Sequence, residues 1–145
     1  MSDDVARLPA HRDWISSRVA VAAALAACAA TVLGAATLDQ RIAVEITALL
    51  VAMMYGVYFG FAIAEGTARD LAIESLFIGV GCTTAVLALE HGPGWLAVGL
   101  ILHGIWDLLH HPDHRIVGTP GAPGWYVPFC AVYDFTAAVT VLVLL

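Results

Sequence analysis

Four of the six histidines in this sequence, His103, His110, His111 and His114, fall within twelve residues, and Asp107 lies among them. Steps of four, three and four residues separate His103, Asp107, His110 and His114, which places all four on one stripe if the segment is helical. Imidazole and carboxylate groups gathered on one face are a ligand set for a divalent metal such as zinc or iron, and no thiolate belongs to the cluster. The expected metal ligands are His103, Asp107 and His110. Asp134 or Glu74 completes the shell or acts as general base, and Tyr58 or Tyr133 supplies a proton donor. His111 falls off the stripe, and His114 follows Pro112, which ends a helix.

The elements that position these groups are set by composition. The chain is 61% hydrophobic and 12% charged, with mean hydropathy +0.86, far more apolar than a soluble domain. It reads as an all-α, polytopic membrane helical bundle, a single integral membrane domain over residues 1–145. About five transmembrane helices of roughly 20 residues are expected at 19–38, 42–64, 71–89, 94–110 and 127–145. The fourth is the shortest. It begins after Gly92-Pro93 and ends in the histidine cluster, whereas 111–126 carries three prolines and three glycines and cannot be regular helix.

Charge and cysteine usage narrow the class further. All six basic residues are arginines, so there is no lysine for a retinal Schiff base. Arg7, Arg12, Arg18, Arg69 and Arg115 share one side of the five-span arrangement and Arg41 takes the other. This predicts a cytoplasmic N-terminal segment, 1–18, and a C-terminus outside, in a multi-pass protein of a bacterial inner membrane. A formal net charge of -6 offers no basic surface to nucleic acid. Haem is not expected, since His11 and His91 stand outside the bundle core and the remaining histidines share one helix or its exit. Cys28, Cys82 and Cys130 lie within spans and form no disulfide framework. Leu25-Ala26-Ala27-Cys28 fits a lipoprotein cleavage box, but the apolar run continues past it, so the first span is read as retained.

With this orientation, polar groups from four spans converge on the cytoplasmic half of the bundle. Glu74, His103, Asp107, His110 and Asp134 join a face of the second span that carries Tyr55, Tyr58, Ala62 and Glu65; Glu45 lies near the other end. An isolated ionisable side chain at such depth costs roughly 2.5–3.5 kcal/mol on insertion scales, so the group must pair, protonate or face water. A metal-dependent enzyme acting on a lipid or other apolar substrate meets that requirement. So does a proton or metal-ion relay in a transporter, and so does a purely structural network in an accessory subunit. The partners expected are the bilayer, an apolar or lipid substrate, and a homo-oligomer or larger membrane complex packed through the Ala-rich first span.

The segments His103-Gly104-Ile105-Trp106-Asp107-Leu108-Leu109-His110-His111 and Trp125-Tyr126-Val127-Pro128-Phe129-Cys130-Ala131-Val132-Tyr133-Asp134 resemble those of small bacterial integral membrane proteins. That resemblance covers the C-terminal third and implies no reaction. A looser similarity is to membrane hydrolases of the ceramidase and adiponectin-receptor type, which implies zinc, histidines and a carboxylate near one face of a helical bundle. Those proteins have seven spans and histidines on separate helices, and this chain departs on both counts. Tyr133-Asp134 resembles half of an intramembrane aspartyl protease site, but Gly104-Ile105-Trp106-Asp107 does not supply the Gly-x-Gly-Asp half.

Overall fold

In a computed structural model the protein is an all-α membrane bundle. The structure describes residues 11–110 and 122–145, apart from the side chains of 11–17. His111, His114, Arg115 and most of the Pro/Gly-rich connection therefore lie outside the described residues, as do Arg7 and the side chain of Arg12. The helices are α1 (His11–Ala35), α2 (Gln40–Met54), α3 (Gly56–Glu65), α4 (Ala68–His91), α5 (Gly94–Leu109) and α6 (Tyr126–Leu144). Among the described residues four stretches are long and apolar enough to cross a membrane: Arg18–Ala35, Gln40–Glu65, Ala68–His91 and Tyr126–Leu144. The fifth, α5, has 16 residues. Its length of about 24 Å falls short of a hydrocarbon core of about 30 Å.

The expected second span is divided. Tyr55 interrupts it, ending α2 at Met54 and starting α3 at Gly56. The third span begins three residues earlier than its apolar run because Thr67 and Asp70 form a capping box: the Thr67 hydroxyl accepts from the Asp70 backbone N–H, and the Asp70 carboxylate accepts from the Thr67 N–H at 2.9 Å. Asp70 thus serves as a helix cap. Gly92, at φ 112°, ends α4 in a conformation that glycine adopts without a Cβ penalty.

Short connections between α1 and α2, α3 and α4, and α4 and α5 make those neighbouring spans antiparallel. α5 packs between α4 and α6, α2 and α3 lie on α4, and α1 leans on α6. Small residues allow these approaches: a Cβ at Gly81 would overlap the Tyr55 ring, and one at Gly99 would come within 2.7 Å of the Thr84 hydroxyl. The core joins Ala48, Val51 and Tyr55 to Ala85, Leu96, Leu100 and Ala138. The large aliphatic side chains Leu33, Leu76 and Val143 point outward, while the buried polar and charged residues are Glu74, Thr84, His103, Asp107, His110 and Asp134. Such an inside-out distribution suits lipid as the surrounding solvent.

Candidate metal centre

The helical register of α5 sets one side of the site. His103 and Asp107, one turn apart, face inward with exposures of 1% and 0%. Across the α5–α6 interface stands Asp134, also 0% exposed, brought close because Gly104 has no side chain to hold the helices apart; a Cβ there would meet the Phe135 ring at 3.1 Å and the Asp134 Cβ at 3.3 Å. His103 Nδ1 lies 2.6 Å from Asp134 Oδ2 and 3.6 Å from Asp107 Oδ2. One donor atom from each of the three residues lies within 4.8 Å of the others.

The second span completes the site at its interruption. The last carbonyls of a helix lack intrahelical donors, and the carbonyl of Met54 at the end of α2 accepts from His103 Nε2 at 3.2 Å. A carbonyl can only accept, so Nε2 carries a proton, and the 2.6 Å contact between Nδ1 and Asp134 Oδ2 then requires a proton or a cation between those two atoms as well. This is the arrangement that orients metal-binding histidines, in which the second ring nitrogen donates to a backbone carbonyl. Just beyond the break, the Tyr58 hydroxyl donates to Asp107 Oδ1 at 2.7 Å. Tyr55 is held by its own hydroxyl, which donates to the Gly99 carbonyl at 2.6 Å, and by stacking on Phe77.

Two carboxylate oxygens remain. Asp107 Oδ2 and Asp134 Oδ1 are buried without a hydrogen-bond partner. Adjacent buried carboxylates cannot both stay charged and unpaired, since the effective desolvation penalty is several kcal/mol for each ion. A proton or a cation must sit among His103, Asp107 and Asp134. One imidazole and two carboxylates match the donor preferences of zinc, iron or manganese.

His110 belongs to a neighbouring cluster. Its Nε2 lies 2.9 Å from Glu74 Oε1 and its Nδ1 lies 2.8 Å from the Trp106 carbonyl, so protein acceptors engage both nitrogens. The Trp106 indole donates to Glu74 Oε2 at 3.2 Å, which satisfies the rest of that carboxylate. The two clusters meet at Tyr58, whose ring stacks on His110 with centroids 4.1 Å apart.

Of the residues singled out from sequence, the structure brings together His103, Asp107, Asp134 and Tyr58. It seats His110 and Glu74 on each other, and it turns Tyr133 away toward α1, where its hydroxyl lies 3.1 Å from that of Thr31. Glu65 is exposed, and Glu45 pairs with Arg41 at 2.8 Å outside the bundle interior. Sequence reasoning missed Trp106 and the Met54 carbonyl. Trp106 lies one residue before Asp107, so a polar indole beside a polar stripe was a signal available for it. No side chain announces a backbone carbonyl. No family model, curated protein or solved structure matches this chain.

Proposed function

We propose that the protein is a metal-dependent membrane enzyme acting on a lipid or other apolar substrate, with one divalent ion held by His103 Nδ1, Asp107 and Asp134. The observation that carries this reading is the pair of buried oxygens on Asp107 and Asp134 that lack a hydrogen-bond partner, beside His103 Nδ1. When bound, such an ion supplies Lewis-acid polarisation of a carbonyl or a hydroxide at neutral pH. Tyr58 orients Asp107 and can donate a proton there, and Glu74 with His110 forms a second acid–base pair across the Tyr58 ring. The five-to-one arginine distribution supports an inner-membrane protein whose site lies in the cytoplasmic half, with the α6 end outside.

Metal content tests the reading. Replacing His103 or Asp107 by Ala should reduce bound zinc or iron at least about tenfold, as expected for loss of a direct ligand when outer partners alone are worth 10–100-fold. His91→Ala should leave metal content unchanged. Equal metal in all variants, or none in the parent, would overturn the assignment.

The broken second span favours a second reading, a proton or cation carrier, because discontinuous helices place backbone carbonyls at cation sites within transporters. Ion flux through vesicles containing the protein distinguishes the two: flux abolished by Asp134→Asn supports the carrier, and turnover of a lipid without flux supports the enzyme.

A further inference from the structure

A cavity of about 450 Å³ lies between α1 and α2 and is backed by α6. It exists because the two helices joined at 36–39 pack on different partners. The small buried stripe of α1, Ala20, Ala24 and Cys28, is on the helix that packs on α6, whereas α2 packs on α4. The gap follows one face of α2 from Gln40 to Met54, a length of roughly 21 Å by helical rise. The space is therefore long and narrow along α2, a shape that suits an extended hydrocarbon chain.

The wall chemistry agrees. Val32, Ala43, Leu50, Val51, Ala137 and Val141 supply apolar surface. The hydroxyls of Thr31, Thr47 and Thr140 donate to the carbonyls of Ala27, Ala43 and Thr136, within their own helices. Tyr133 then donates to Thr31, leaving no hydroxyl proton for a polar guest. At the inner end lie Met54, whose carbonyl holds His103 Nε2, and Tyr133, the neighbour of Asp134.

We propose that this groove binds one fatty acyl chain of a membrane lipid, admitted sideways between α1 and α2, with the functional group of that lipid held at the Met54 end. Its role as a substrate site rests on the metal-enzyme reading; binding of the chain does not.

The test is photolabelling of the full chain in phosphatidylcholine vesicles with palmitic acid carrying a diazirine, followed by peptide mapping. Label at Val32, Thr47 and Ala137 should exceed label at Leu76 and Val86, on the outward face of α4, at least about tenfold, as an ordered site should exceed lipid-exposed surface. Excess unlabelled palmitic acid should remove groove label and spare α4 label. Thr47→Phe, which fills the groove, should reduce groove label to the α4 level. If that variant does not fold, competition in the parent protein decides alone. Groove label equal to α4 label, or resistant to competition, would overturn the proposal, as would a protected groove in a chain that runs as a dimer. Metal measured in the same preparation separates the two readings: groove label without metal removes the enzyme and keeps the chain site, and metal without groove label does the reverse.

Discussion

His103 carries more of the site than its two neighbours because both of its ring nitrogens are assigned roles by geometry. Nε2 donates to Met54, and Nδ1 meets Asp134 Oδ2 at 2.6 Å, where a proton or a cation must lie between them. Asp134→Asn separates chemistry from scaffolding, since the amide keeps the size and hydrogen-bonding capacity of Asp134 and removes its charge. The melting temperature should hold or rise, because a neutral amide is cheaper to bury, while metal content falls at least about tenfold. A collapse of folding with metal retained in the surviving fraction would contradict this. Tyr58→Phe should weaken metal affinity by 10–100-fold through loss of the bond to Asp107 Oδ1, measured by competition with a chelator of known affinity. His103, Asp107 and Asp134 were visible in the sequence because ionisable groups inside apolar segments are costly and therefore few. The seating of His110 on Glu74 was not visible. His103 and His110 share one helical stripe, and only the positions of α4 and α6 decide which carboxylate each one meets.

At the scale of elements, the interruption at Tyr55 is the feature that builds the site, and it was hidden from periodicity. Residues 42–64 read as one continuous apolar span, with Gly56 as a local hint of a break. The break is locked by tertiary contact: the Tyr55 ring fills the space left by the absent Gly81 side chain and its hydroxyl reaches Gly99. Gly81→Ala should therefore destabilise the protein by about 1–3 kcal/mol through overpacking and lower metal content with it. Gly79→Ala, two residues earlier on α4 with nothing near its Cβ position, should be neutral or stabilising by up to about 1 kcal/mol from helix propensity. Thermal unfolding of the two variants side by side checks both. The helix ends were more legible. α4 runs to His91, two residues past the expected 89, and ends at Gly92, while the capping box at Thr67 moved its start back to Ala68.

For the whole molecule, apolar composition and span lengths were enough to establish a membrane bundle, because burial of about 20 consecutive apolar residues leaves few alternatives. The groove was invisible to the same reasoning, since it arises from two adjacent helices choosing different partners. Topology is the matching prediction. A reporter active only in the cytoplasm should work when fused before α1 or within 111–126 and fail after Leu145, and activity at Leu145 would mean that α5, with 16 residues, does not span. The most direct measurement is X-ray absorption at the zinc or iron edge of the purified protein, after metal analysis. About one ion per chain is predicted, coordinated by one imidazole nitrogen and carboxylate oxygens, and lost as pH falls because protons compete for the same atoms. A folded protein without metal, or a coordination sphere with two imidazoles or with sulfur, would contradict a centre built from His103, Asp107 and Asp134.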